Sequence, residues 1–449
     1  MPLEQHTPAL LTAALEELEN SFSNLPAAEL PALNLSQMTA VMSEVAARMG
    51  DNYPYFHPLY AGQMLKPPHP IARAAYALST WINPNNHALD GGRASSAMEK
   101  EAVAALAAMF GWQTYLGHLT GGGTMANLEA LWVAGQLQPG KKIVASAQSH
   151  YTHERISGVL QLPFEKVPVD DRGRMYIPAL EQMLSRGDIG CVVATLGTTG
   201  IGSVDPLPEI LRLRERFGFR IHADAAYGGY FGLVGNLASE ARAAFDQIAE
   251  VDSIVVDPHK HGLQPYGCGC VLFRDPAVGS LYKHHSPYTY FSSSELHLGE
   301  ISLECSRAGA AAVALWATQR LLPLVPYGEF AKDLESSRRA ALAFTQRLKN
   351  DNRFVVPFDP ELDIVVWACR APSASASSAL AQQIFDDAAK QQLHLALIHL
   401  PVSFFRETWP ELQTDQDDIL CLRSVLMKPE HESWVDRIYE ILTQTTPRS

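Results

Sequence analysis

Between residues 142 and 273 the chain carries five short apolar runs, KIVASA, CVVATLGT, RIHADA, SIVVD and CGCVLF, rich in Val and Ile and bounded by turn-forming residues. Each has the length of one strand, and amphipathic stretches of helical period such as LPEILRLRERFG lie between several of them. Strands joined through helices pair in parallel, and a parallel sheet is buried on both faces. The expected architecture is therefore α/β, a mostly parallel central sheet sandwiched by helices. The polar residues with chemical potential follow these runs directly, at the carboxyl ends of strands, where open α/β sheets bind ligands.

A chain of 449 residues exceeds what one hydrophobic core organises, so a large domain with a smaller one is expected. The segment AMEKEAVAALAAMFGW is filled with strong helix formers, and so is RAGAAAVALWATQRLL (307–322). The prolines and glycine of LPLVPYGEF then interrupt the helical pattern. This places a large domain over residues 81–325 and a smaller α+β domain over 326–449, with APSASASS (371–378) as a solvated linker inside the latter. Residues 1–80 read as a helical segment, with the aromatic stretch DNYPYFHPLY, that packs on a dimer partner.

The net charge of −13 argues against nucleic acid or an anionic membrane as a partner, because both select basic surfaces. No apolar run approaches the ~18 residues of a membrane span. The first residues lack the basic start and apolar stretch of a secretion signal. Six scattered cysteines contain no CxxC pair. Together these features predict a reduced, cytoplasmic protein. A metal-binding reading would rest on His259-x-His261 and His284-His285, neither of which has the spacing of a strong site, so no metal is expected.

Five strand ends carry the candidate chemistry. Lys260, in SIVVDPHKHG, follows a strand directly; desolvated there, its amine can condense with an aldehyde, although on spacing alone it reads more readily as a surface lysine. Asp224, in RIHADAAYGG, could keep a ring nitrogen protonated by charge pairing, or could be a solvated helix cap. The segment TGGGT (120–124) opens a helix whose free N–H groups suit a phosphate. It lacks the ending of a P-loop and the spaced glycines of a dinucleotide fingerprint, which points to a single phosphate monoester. His150, in ASAQSHYTHERI, could stack on a flat ring or serve as a cap, and Thr198 or Thr199, in LGTTGIGSVDP, could bond a ring substituent or form a turn. Their succession along the chain, each after a strand, assembles the parts list for one cofactor.

The motifs HADAAYGG, DPHKHG, TLGTTGIGSVDP and SAQSHYTHERI resemble those of the group II pyridoxal-5′-phosphate (PLP)-dependent amino-acid decarboxylases, whose members act on glutamate, aromatic amino acids or tyrosine. The resemblance runs from about residue 55 to the end. It implies the aspartate-aminotransferase-type fold (fold type I), PLP as cofactor, a homodimer with interface active sites, and conversion of an L-amino acid to its amine and CO2. Another carbon–carbon lyase or an aldehyde synthase on the same scaffold is the alternative. By the resemblance Lys260 is the Schiff-base lysine, Asp224 the partner of the pyridine nitrogen and His150 the ring-stacking residue. Ala226 lies against the opposite ring face, and Gly122, Gly123, Thr124, Thr198, Asp257 and His259 complete the cofactor contacts. Asp257 stands where many members have asparagine. A loop tyrosine that returns a proton to Cα is expected at Tyr290 or Tyr288. Gln63, Asn86, His87 and Arg423 are expected at the substrate.

Overall fold

In the computed structural model, which describes residues 4–283 and 296–447, all five apolar runs are strands of one seven-stranded sheet. In chain order these strands are β1 (Leu116–Thr120), β2 (Lys142–Ser146), β3 (Phe164–Val167), β4 (Ile189–Thr195), β5 (Arg220–Asp224), β6 (Ser253–Val256) and β7 (Gly269–Phe273). They lie in the order β1-β7-β6-β5-β4-β2-β3. The pairings from β6 through β5, β4 and β2 to β3 are all parallel, whereas β7 runs antiparallel to both its neighbours, β1 and β6. The mostly parallel sheet is as expected.

The exception has a local cause. No crossover helix separates β6 from β7, so the chain turns back at the carboxyl end of β6 and pairs with it antiparallel. Lys260 lies in that turn, above the sheet. Two strands escaped the sequence pattern. β1 is LGHLT, whose glycine and histidine break the apolar run, and β3 is an edge strand, FEKV, that is only partly buried.

The C-terminal part forms an antiparallel sheet in the order β10-β11-β9-β8 from β8 (Phe354–Val355), β9 (Ile364–Cys369), β10 (Ala396–Pro401) and β11 (Asp418–Val425). Helices Glu329–Lys349, Ala374–Lys390 and His431–Thr445 cover it, and Trp367 and Phe344 meet edge to face in its core. The expected linker at 371–378 is a correction: a helix begins at Ala374, and the Ser373 side chain accepts from the Ala376 N–H at its start. The serines and alanines that resemble a solvated tract are a capped first turn, with Ala374 and Ser377 fully buried.

The segment 1–80 divides three ways. Helix His6–Ser21 packs on helix Pro70–Ser79, which packs on helix Ala310–Leu321 of the large domain. Residues around Tyr60 and Ala61 join the small domain through the Tyr60–His394 bridge and the Ala61 N–H bond to His394 O. Helix Leu35–Met49 is exposed along its whole length. Among the described residues no helix is long and apolar enough to cross a membrane.

Two buried imidazoles tie this framework together. His222 lies between Ser253 Oγ at 2.9 Å and Asn127 Oδ1 at 2.8 Å, and His431 joins Pro58 O at 3.0 Å to the Lys428 N–H at 3.2 Å. Burial, with neighbouring positive charge adding to it, holds both down to about 3 from 6.5. Between those values the unfolded chain binds protons that the folded one refuses, so stability falls as pH falls below about 6.5. Thermal melts should shift downward from about pH 7 to about pH 5; a melting temperature flat across that range would contradict the burial of both rings in neutral form.

Candidate active site

A cavity of about 610 Å³ opens at the carboxyl ends of the parallel strands. Each strand end delivers one side of it: Gly121–Thr124 after β1, His150 after β2, Thr195 at the end of β4, Asp224 at the end of β5, and Asp257 to Lys260 after β6. The sheet thus collects residues spaced across 140 positions of sequence, 121 to 260, into one concavity.

Asp224 is 5% exposed. Its Oδ2 accepts from His153 Nε2 at 2.8 Å and its Oδ1 accepts from the Ala226 N–H at 3.1 Å. Burial alone would raise its pKa. The hydrogen bond and charge of His153, with the positive charge of Lys260, outweigh that and hold the carboxyl well below its usual range. The carboxylate is therefore ionised and preorganised at the cavity wall. Lys260 Nζ lies 3.1 Å from Asp257 Oδ2, and Asp257 Oδ1 is buried with no hydrogen-bond partner among the described residues.

The glycine loop is shaped by its neighbours. Gly122 has a φ of +146°, and a Cβ on Gly123 would lie 2.5 Å from Asp257 Oδ2. Only glycine permits this approach. Helix Gly123–Leu137 starts here, so the N–H groups of Gly123 and Thr124 have no intrahelical acceptor and face the cavity with the positive end of the helix dipole. Gly121 N–H donates to Glu304 Oε2 at 3.2 Å, which closes the loop's outer side. A buried brace lies behind: Arg307 donates to Glu99 Oε1 at 2.7 Å and to Leu119 O at 2.6 Å, fixing the end of β1.

His150, Ala226 and His259 line the cavity as expected. His150 Nδ1 bonds Thr152 Oγ1 at 2.8 Å, its ring stacks on Tyr151 at 4.5 Å, and burial lowers its pKa, so the ring is neutral. His259 Nδ1 bonds Cys268 O at 2.8 Å and is likewise lowered by burial. His261 points into a different cavity, so His259-x-His261 does not form one ligand set.

Other expectations are corrected. Thr198 is fully buried, its Oγ1 accepts from the Ser203 N–H at 3.0 Å, and it does not line the cavity; Thr199 and Thr195 do. Asn86 is fully buried and bonds Glu99 Oε2 at 2.6 Å, and His87 abuts Gly299, so both belong to the brace around Arg307 rather than to the cavity wall. Arg423 is no open carboxylate receptor. It donates to Gly200 O and Thr199 O, each at 2.7 Å, and to Gln63 Oε1 at 3.1 Å, so it clamps the Thr199 loop to the Gln63 segment. Tyr288 and Tyr290 lie outside the described residues, as do His284 and His285.

Sequence reasoning missed His153, Thr195, Tyr227 and Glu304. His153 carried a signal: it stands three positions after His150, in the first turn of the helix that follows β2. Thr195 and Glu304 carried none, because only the packing of distant segments brings them here.

Residues 54–370 match the family model described as the pyridoxal-dependent decarboxylase conserved domain. An L-tyrosine decarboxylase of Enterococcus faecium is 28% identical over 462 residues, covering 78% of this chain and 75% of that protein. A probable L-tyrosine/L-aspartate decarboxylase of Methanospirillum hungatei is 30% identical over 278 residues, covering 62% and 72%. Among solved structures, Oryza sativa TDC with PLP and tryptamine superposes with a TM-score of 0.79 at 18% identity over the full length of both chains. Mouse CSAD superposes with a TM-score of 0.79 at 20% identity, covering 97% of this chain and 92% of that one.

Proposed function

The chain belongs to the pyridoxal-dependent decarboxylase family, and from that premise we propose which of its residues carry the reaction. The fold is type I, the cofactor is PLP, and the enzyme is a carboxy-lyase that decarboxylates an amino acid. The observation that carries the assignment is the convergence of Lys260, the ionised Asp224 carboxylate and the Gly121–Thr124 helix start on one cavity.

The residues present fit the cofactor. The cavity wall keeps two buried oxygens without partners among the described residues, Asp257 Oδ1 and Thr195 Oγ1, and the cradle at Gly123 has no room for a Cβ. Lys260 would hold PLP covalently through its ε-amine, the Gly123 and Thr124 N–H groups would hold the phosphate, and Asp224 would face the ring nitrogen. When bound, PLP supplies the electron sink that accepts the pair left at Cα as CO2 departs.

The chain's residues do the rest. Asp224, fixed by His153, holds a proton on the atom it faces. His150 and Ala226 bound the ring's two faces. Thr195 replaces Thr198 as the hydroxyl available to a ring substituent. Asp257 pairs with the Lys260 ammonium at 3.1 Å and keeps the amine aimed into the cavity. Arg423 and Gln63 position Thr199 for the substrate, and return of a proton to Cα is assigned to Tyr290 or Tyr288.

The purified protein should show a visible absorbance that borohydride abolishes, with the reduced cofactor on the peptide containing Lys260. CO2 and amine should appear with one member of an amino-acid panel that begins with L-tyrosine and L-aspartate, the substrates in the relatives' names. Aldehyde and peroxide in place of amine would favour an aldehyde synthase, and no CO2 from any amino acid would overturn the reading.

The working unit is a homodimer. Supporting this, Met38, Val41, Met42, Val45 and Met49 form an apolar stripe on helix Leu35–Met49 that nothing among the described residues covers. Met42→Asp should shift the sedimenting species toward monomer; an unchanged distribution would remove that helix from the interface. The compartment is cytoplasmic, consistent with six free cysteines.

A further inference from the structure

A second cavity, of about 420 Å³, lies behind the catalytic lysine where the N-terminal segment, the large domain and the small domain meet. His261 lines it, whereas the preceding Lys260 lines the first cavity. The wall between the two is polar. Tyr227, on the active-site side, donates to Asp363 Oδ1 at 2.5 Å, and Asp363 Oδ2 lies 3.3 Å from His261 Nε2.

Two lysines enter this second cavity from different domains. Lys66 Nζ donates to Met427 O at 3.2 Å, and Lys428 Nζ donates to Tyr60 O at 2.6 Å while lying 5.4 Å from the Tyr60 ring centroid. Lys428 is 3% exposed, yet neither ammonium makes an ion pair among the described residues. Each has three donors, and the structure assigns one protein acceptor to each. Burial draws Lys66 down to about 8 and Lys428 to about 7, and the charge of Lys66 pushes Lys428 further down. Asp333, Glu430 and Asp363 act on these cations only from beyond ion-pair distance, and an anion placed between the two ammoniums would pair with both directly. The remaining wall is mixed: Phe330 and Leu334 are buried against an apolar side of prolines and Leu263, and Asp333 and Glu430 border the space opposite. Arg73, at the same cavity, is already paired with Glu4.

We propose that this cavity is a second small-molecule site, which takes a carboxylate with an apolar body of amino-acid size. The carboxylate lies between Lys66 and Lys428, and the body rests on Phe330 and Leu334. The two acids leave room for an ammonium on the same molecule, so an α-amino acid fits as well as a simple acid. Its occupant touches the imidazole adjacent in sequence to Lys260, and the Asp363–Tyr227 pair connects that imidazole to the active site.

The test uses holoenzyme whose cofactor has been fixed by borohydride, with two probes of one body and opposite charge, 3-(4-fluorophenyl)propanoate and 2-(4-fluorophenyl)ethylamine, followed by fluorine NMR. The propanoate should bind saturably, and Lys428→Met and Lys66→Met should each weaken it about tenfold or more, as loss of a charge-assisted hydrogen bond implies. The amine should show no binding that these variants alter. Lys428→Met removes a buried cation but leaves Tyr60 O without its donor, so its melting temperature is measured as a check on folding. Should it fold poorly, Lys66→Met, at the more exposed of the two positions, decides alone. Absent propanoate binding at millimolar concentration, affinity unchanged in the deciding variants, or an amine that responds as the propanoate does would each overturn the proposal.

Discussion

Lys260→Ala is expected to yield a protein without the cofactor-linked visible band and with decarboxylation reduced by about 10³-fold or more, since it loses the covalent hold on PLP. The structure adds a complication that the motif alone would hide. Lys260 Nζ lies 3.1 Å from Asp257 Oδ2, so alanine leaves a buried carboxylate without its cation. Some loss of stability should accompany the loss of activity, because an orphaned buried charge is destabilising. Lys260→Gln separates the two effects: its amide retains a donor for Asp257 but cannot condense with an aldehyde. The glutamine variant should melt close to the parent enzyme and remain inactive. Retention of the borohydride-sensitive band in either variant would remove Lys260 from its assigned role.

Asp224→Asn should lower kcat by about 10²–10³-fold, the scale on which preorganised electrostatic groups act. The substitution keeps shape and removes charge. Asp224→Ala should lose more, because it also frees His153 Nε2 and the Ala226 N–H from their acceptors. A pH signature distinguishes an electrostatic role from a structural one. His153 and Lys260 outweigh the effect of burial, so the folded-state pKa of Asp224 lies below its unfolded value. The stability it contributes is present above about pH 4 and is lost as pH falls through the lower folded value. Across the neutral range its charge is constant. The asparagine variant should therefore keep the shape of the parent pH–rate profile at greatly reduced amplitude. A profile whose limb moves by a unit or more would mean that Asp224 itself titrates during turnover.

Much of this site was legible because its chemistry is local in sequence. Asp224, Lys260, His150 and the Gly122–Thr124 turn each follow a strand directly, and a strand end is fixed by the apolar run before it. Once these runs form one sheet, Asp224, Lys260 and His150 must share an edge, whereas the Gly122–Thr124 turn joins them through β1, which carries no apolar run. The brace residues were misread for the converse reason. Asn86 and His87 look like pocket polar residues in sequence, but their partners, Glu99 and the segment near Gly299, come from elsewhere in the chain. The serine- and alanine-rich stretch at 371–378 misled because composition describes solvation on average, whereas one N-cap hydrogen bond from Ser373 turns the same residues into a buried helix start.

The sequence by itself determined the mostly parallel sheet and placed Lys260 and Asp224 at strand ends, since strand period and strand-end position are properties of contiguous residues. Only the tertiary structure decided that Thr195 rather than Thr198 faces the cavity, that His153 sets the charge state of Asp224, and that Lys66 and Lys428 meet behind the active site. Those facts depend on contacts between segments tens to hundreds of residues apart. Side-chain burial and pairing at such separations are set by how helices and sheets pack, which no local periodicity records.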